Sequence, residues 1–196
     1  SNDTVNIIYD VDQGEKATIN KIKFIGDKKF KDRKLRGIIT SEEDKPWKFI
    51  SRRVYLDIER VNLDKRLLKN FFLDKGYYQV DITDAYSQIL NQKDFELVFN
   101  INAGKKFYFG DFDINIPEDF DPKKFDNLKS FFKKIKDKKY SYRNIEKILD
   151  EIEKIALFQN YEFIDAKVIE VVKGNKINFT FDIKDTEKLY VNKINI

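Results

Sequence analysis

Apolar and polar residues alternate in Val5–Val11: Val5, Ile7, Tyr9 and Val11 share one side, with Asn6 and Asp10 on the other. That period of two is the mark of a half-buried strand. The pattern returns in the same frame further along, with Ile7/Leu97/Phe179, Tyr9/Phe99/Phe181 and Val11/Ile101/Ile183 at equivalent positions. Each stretch runs through a short link (Asp12-Gln-Gly-Glu, Ala103-Gly-Lys-Lys, Asp185-Thr-Glu-Lys) into another strand, where Ile22/Phe112/Ile194 and Phe24/Ile114/Ile196 again coincide. Ile7 and Leu97 lie 90 residues apart, and Leu97 and Phe179 lie 82 apart. A spacing of that size describes a small domain used repeatedly, not a solenoid.

Between the strand pairs the period becomes helical. The first copy predicts a short helix near 32–41 with Leu35, Ile38 and Ile39, then an irregular stretch from Ser41 to Arg53. A longer helix at about 56–74 sets Leu63, Leu67, Leu68, Phe71 and Phe72 on one stripe. Gly76 stands where a left-handed C-terminal cap favours glycine. In the second copy Asp121-Pro122 reads as N-cap and first helical residue. Leu128, Phe131, Phe132 and Ile135 follow as the apolar face. Ser141 caps a second helix striped by Ile145, Ile148, Leu149, Ile152, Ile155 and Ala156, and Asn160-Tyr161 takes the place of Gly76-Tyr77.

A strand is expected after each long helix, at about 78–86 and 163–172, and Lys173-Gly174-Asn175 turns the chain back into the last strand. The fold class is α+β: tandem β-α-α-β-β modules, each a three-stranded sheet covered on one face by two helices. The modules are residues 15–104 and 105–186. Residues 1–14 read as the last strand of a preceding module and 187–196 as the first strand of a following one.

Composition narrows the chemistry. Among 196 residues there is no Cys, His or Met, which closes the Ser-His, Cys-His and thiolate routes to a nucleophile and the usual zinc ligand sets. The seven glycines are scattered singly, so no phosphate-cradling loop exists. Glu42-Glu43-Asp44, the one acidic cluster, reads as a solvated loop. No catalytic, cofactor-binding or metal residue is assigned, and an enzyme is not expected.

The net charge of +4 is spread over 38 basic and 34 acidic side chains, a weaker excess than nucleic-acid binding usually shows. The strongest asymmetry is at 123–139, where Lys123, Lys124, Lys129, Lys133, Lys134, Lys136, Lys138 and Lys139 face only Asp126 and Asp137. This is the polar side of an amphipathic helix or else a surface for anionic lipid, acidic partners or nucleic acid, the last of which would make the chain a basic nucleic-acid-binding module. No apolar run reaches 18 residues.

Sheet edges give a handle on function, because an edge strand leaves one row of N–H and C=O groups unpaired and can accept an extended chain. The strand after each long helix is the candidate. Val80 and Ile82, matched by Ile164 and Ala166, should face the helices, with Asp81, Thr83, Asp165 and Lys167 facing outward. The single tryptophan, Trp47, either anchors a partner or folds back with Phe49 and Ile50 over its own core.

Three features resemble POTRA domains of the Omp85 family: the β-α-α-β-β repeat, the opening Gly14-Glu-Lys-Ala-Thr-Ile-Asn-Lys-Ile-Lys-Phe-Ile-Gly26, and the helix ending Phe71-Phe-Leu-Asp-Lys-Gly-Tyr-Tyr78. The insertion Asp44-Lys-Pro-Trp-Lys-Phe-Ile50 is similar to the third such domain of the members that assemble outer-membrane β-barrels, which makes the next module fourth-like. Asn160 and Thr186 depart from the family's glycines.

The resemblance implies a non-enzymatic periplasmic part of a Gram-negative outer-membrane protein, without cofactor, whose membrane contact runs only through a barrel outside this chain. Its partners would be unfolded outer-membrane β-barrel proteins, bound by strand addition, and accessory outer-membrane lipoproteins, with no nucleic acid. A POTRA array of a two-partner secretion or TamA-type transporter would carry the same pattern. The family's site falls on Gln79, Val80, Asp81, Ile82 and Thr83. The second edge is Asp165, Ala166, Lys167, Val168 and Ile169, and Trp47 is the candidate for partner docking.

Overall fold

The computed structural model describes residues 17–47, 51–88, 94–158 and 164–185. The terminal strands expected at 1–14 and 187–196, and the Asn160-Tyr161 pair, lie outside them. The chain divides into two compact units. Among the described residues, those up to Arg66 together with those of Thr83–Asn100 form one, and Leu67–Ile82 with those from Ile101 onward form the other.

The first sheet is built from β1 (Thr18–Asp27), β2 (Asp81–Gln88) and β3 (Asp94–Asn102) in the order β1-β3-β2. Ile19, Ile22 and Phe24 of β1 and Leu97 and Phe99 of β3 are buried, and the Phe24 and Phe99 rings stack 5.7 Å apart. Leu35 of the short helix α1 (Asp32–Arg36), Val54 of a 3-10 turn (Arg52–Val54) and Val61 of α2 (Ile58–Asp74) complete this core.

Two details of the helices differ from expectation. α1 stops at Arg36, short of residue 41, because Thr40 and Ser41 turn their N–H groups to the carboxylate of Asp64 at 2.5 and 3.1 Å. That bond draws Asp64 to the core side of α2. The buried stripe is therefore Val61, Asp64, Leu68 and Phe72, while Leu63 is 38% exposed and Leu67 and Phe71 are half-buried.

α2 closes in a Schellman cap: Tyr77 N–H bonds the Phe72 carbonyl at 3.0 Å and Gly76 N–H the Leu73 carbonyl at 3.1 Å. Gly76 has φ +93°, a left-handed conformation that side-chain-bearing residues avoid. A further turn, with Val80 N–H on the Tyr77 carbonyl at 3.2 Å, delays β2 to Asp81 instead of about 78.

In the second unit β4 (Tyr108–Asn115), β5 (Ile164–Lys173) and β6 (Lys176–Asp185) form a sheet in the order β4-β6-β5. β4 runs parallel and β5 antiparallel to β6. Helices α3 (Asp126–Ile135) and α4 (Tyr142–Phe158) supply Leu128, Phe132, Ile145, Ile148 and Ile152 to a core shared with Phe109, Phe179 and Phe181. Asp121 accepts Lys123 N–H at 3.0 Å with Pro122 next, so the chain enters a 3-10 turn leading into α3 as its sequence predicts. Asp74, in the last turn of α2, accepts Arg143 N–H at 2.9 Å and the Ser141 hydroxyl at 3.1 Å at the start of α4. An anion suits that orphan donor and the positive end of the helix.

β4 carries a bulge between Phe109 and Phe112. The Asn178 side chain fills it, accepting Asp111 N–H at 3.0 Å. A Cβ at Gly110 would stand 2.0 Å from Asn178 Oδ1, so any other residue there would displace the side chain that fills the bulge.

Candidate strand-addition edges

Sheet order makes β1 and β2 the rims of the first sheet, and β4 and β5 those of the second. These rims are not equally open. The β1 rim is covered by the chain's own irregular segment: Asp44 N–H bonds the Ile19 carbonyl at 2.7 Å, Leu56 N–H bonds that of Ala17 at 2.8 Å, and Ile22 N–H donates to Glu43 at 3.0 Å. Arg36 pairs with the same Glu43 and donates to the Ile22 carbonyl at 2.6 Å. The acidic cluster is thus no solvated loop. Ile22 needs an acceptor, and Glu43 supplies it.

Burial opposes ionisation of Glu43, but the Ile22 N–H and the Arg36 guanidinium outweigh it and hold the carboxyl below its ordinary value of 4.5. A depressed acid stabilises the fold above its unfolded pKa and loses that contribution as pH falls through the folded one. Glu43→Gln should therefore lower stability by about 1 kcal/mol at pH 7. Thermal melts of the two proteins should begin to converge as the pH falls below 4.5 and meet once it has passed the lower folded-state value, and a gap that persists in strong acid would show the ionised form to be irrelevant.

At β4 the first half of the rim is likewise occupied. Phe109 N–H bonds the Lys138 carbonyl at 2.9 Å, Asp137 N–H bonds that of Phe109 at 3.0 Å, and Tyr140 N–H bonds that of Phe107 at 3.0 Å.

β5 is open along its length, with no backbone hydrogen bond on its outer side among the described residues. The two-residue loop Gly174-Asn175 closes on the pair Lys173↔Lys176. In such a hairpin the closing pair exchanges both hydrogen bonds, and bonded and non-bonded pairs then alternate. Val172, Glu170, Val168, Ala166 and Ile164 therefore direct their N–H and C=O outward. Of the expected residues, Ala166 and Val168 offer main-chain groups to the rim, whereas Asp165, Lys167 and Ile169 use theirs on β6. The faces fall as predicted: Ile164, Ala166 and Val168 pack against the core while Asp165 and Lys167 are exposed. Ile169 and Val171 add an apolar pair, 42% and 47% exposed, on the outer face.

In β2 the alternation also holds, with Val80 and Ile82 buried and Asp81 and Thr83 exposed. Only Asp81, Ile82 and Thr83 lie in the strand; Gln79 sits in the preceding turn, and the Val80 N–H is already bonded to Tyr77.

Trp47 is 72% exposed with Lys45 Nζ 5.7 Å from its ring centroid, so it does not cover the core; Phe49 and Ile50 lie outside the described residues. The lysines of 123–139 are all exposed. Sequence reasoning missed Glu170 of β5, whose carboxylate accepts the Tyr78 hydroxyl. Burial and this bond push Tyr78 up to about 12. The second residue of the Tyr77-Tyr78 pair was the available signal. No group of side chains among the described residues could hold a metal ion, and no helix among them is long and apolar enough to cross a membrane.

Residues 17–104 match the POTRA family, described as "Surface antigen variable number repeat". The outer membrane protein assembly factor BamA of Buchnera aphidicola subsp. Acyrthosiphon pisum is 26% identical over 202 residues, covering 98% of this chain and 31% of the relative. The BamA of Neisseria meningitidis serogroup B is 24% identical over 195 residues, covering 98% of this chain and 24% of the relative. The chain thus spans less than a third of either curated relative.

Among solved structures, POTRA3-5 of Haemophilus influenzae BamA has a TM-score of 0.60 at 8% identity, covering 88% of this chain and 63% of that one. POTRA1-2 of the periplasmic domain of Omp85 from Anabaena has 0.53 at 10% identity, covering 89% and 99%. These likenesses establish the α+β repeat fold.

Proposed function

We propose, from the POTRA family to which residues 17–104 belong, that this chain is a periplasmic, non-catalytic scaffold of an outer-membrane β-barrel assembly machine. Extended segments of unfolded outer-membrane proteins add to the open rim at β5 and to β2, and accessory lipoproteins dock on surfaces that include Trp47. The observation that carries this reading is the β5 rim: a ten-residue edge strand, without proline, whose outward donors and acceptors have no backbone partner among the described residues. Main-chain bonding gives affinity with little demand on sequence, which suits clients that share only their β-propensity. The two BamA relatives, each matched across 98% of this chain, favour barrel assembly over the two-partner secretion and TamA-type alternatives.

Ala166→Pro tests it. Proline at this position removes an outward N–H and leaves the ladder to β6 intact, as edge strands tolerate. The variant should stay folded by circular dichroism and bind a labelled peptide from the last strand of an outer-membrane barrel about tenfold more weakly, the equivalent of one or two hydrogen bonds. Ala166→Val keeps the N–H and should bind as the parent does. Equal capture by a folded Ala166→Pro chain would refute addition at β5.

A further inference from the structure

Between β4 and α3 lies an open cleft of about 420 Å³ that belongs to neither rim just described. Phe112 and Ile114 of β4 and Phe132 of α3 line its floor, Lys129, Lys133 and Lys136 line its helical wall, and Asp111 and Asp113 of β4 complete the lining. The bulge at Gly110 marks the change along β4: before it the rim is bonded to residues 137–140, and after it Phe112–Asn115 has no backbone partner beyond β6 among the described residues. The Ile114 N–H is held by the carboxylate of the adjacent Asp113 at 2.9 Å, so an acceptor oxygen already stands where a visiting chain would place one.

The charge of the wall is only partly used. Lys136 pairs with Asp111 at 2.5 Å, Lys129 reaches Asp126 at 3.8 Å, and Lys133 has no ion-pair partner among the described residues. Lys124 and Lys134 extend the same field outside the cleft.

We propose that this cleft is a separate docking surface for an extended acidic polypeptide segment. The segment lies along Phe112–Asn115 as an added strand, and the side chains it turns inward are apolar over the aromatic floor and carboxylate toward Lys129 and Lys133. Three features select that occupant. Main-chain groups at the base, which bond no backbone beyond β6 among the described residues, need alternating donors and acceptors, which a strand presents and a lipid headgroup does not. The floor buries alternate apolar side chains. The lysine wall favours carboxylates and speeds their encounter.

The experiment uses the 196-residue chain and three probes: a labelled peptide of repeating Phe-Thr-Glu-Thr, which sets Phe and Glu in turn along one strand face, its counterpart with Gln in place of Glu, and anionic phosphatidylglycerol vesicles. The Glu peptide should bind about tenfold more tightly than the Gln peptide at low salt. Lys133→Glu, an exposed change that cannot disturb the core, should erase most of that difference. Ile114→Pro, which removes the outward donor and spares the lysines, should weaken the same peptide several-fold. If Ile114→Pro compromises folding, a photo-cross-linker decides instead: capture of the Glu peptide from Asn115 supports the proposal, and capture only from Asp165 on β5 overturns it. Equal affinity for the two peptides, or no effect of Lys133→Glu on the Glu peptide, also overturns it. Vesicle binding that Lys133→Glu abolishes, with no binding of the Glu peptide, assigns the lysines to a membrane surface and rejects the cleft as a peptide site.

Discussion

Phe179→Ala should destabilise the second unit by about 4 kcal/mol, the upper part of the range for removing a buried aromatic ring. β6 is the middle strand of its sheet, and Phe179 is only 1% exposed. Its ring lies 5.7 Å from those of both Phe109 and Phe112, 6.2 Å from Tyr140 and 6.4 Å from Phe181. Stacked and edge-on aromatic contacts add to the area term, and four rigid rings cannot collapse into the space a fifth vacates. The loss also reaches function, because β6 carries both rims: β5 pairs along its whole length with one side and β4 with the other. Urea denaturation followed by tyrosine fluorescence should show the midpoint falling without a change in the slope expected from size. A loss below about 1.5 kcal/mol would mean that the aromatic layer is less tightly packed than these distances imply.

The strand periodicity, the module repeat and the two-residue hairpin at Gly174-Asn175 could be read from the sequence because each depends on neighbours in the chain. The faces of β2 and β5 came out as the alternation predicted. What could not be read depends on contacts distant in sequence. Nothing local says that Glu43 must serve Ile22, 21 residues away, or that Asp74 must take up the first turn of α4. The helix stripe on α2 was misjudged for the same reason: leucines at 63 and 67 outrank an aspartate at 64 on any hydropathy scale, yet the aspartate lies inside and Leu63 outside. At the rims, sequence could name the edge strands but not their state. Whether a rim is blanketed (β1), half covered (β4) or open (β5) was decided by Glu43, Asp44 and Leu56 and by residues 137–140, which carry no strand pattern of their own.

Asp64→Ala is the second large effect expected, a loss of about 3 kcal/mol from the first unit. The side chain is fully buried and accepts three hydrogen bonds, from Thr40 N–H at 2.5 Å, the Thr40 hydroxyl at 2.7 Å and Ser41 N–H at 3.1 Å. Alanine leaves two backbone donors without that acceptor, the one on Ser41 buried and the one on Thr40 half-buried, and such orphaned groups cost more than the bonds themselves were worth. Asp64→Asn retains one acceptor oxygen and should lose about half as much. Ser41→Ala, which deletes a buried hydroxyl that has no hydrogen-bond partner among the described residues, should change stability by less than about 0.5 kcal/mol and serves as the control. The structural consequence follows from where Thr40 and Ser41 lead: they anchor the segment whose Glu43 and Asp44 close the β1 rim. Releasing it should speed hydrogen exchange at the Ile22 and Asp44 amides well before the unit unfolds, and should give the chain a new edge prone to self-association. An Asp64→Ala chain that keeps those amides protected would show that the rim is closed by its own bonds and owes nothing to the buried carboxylate.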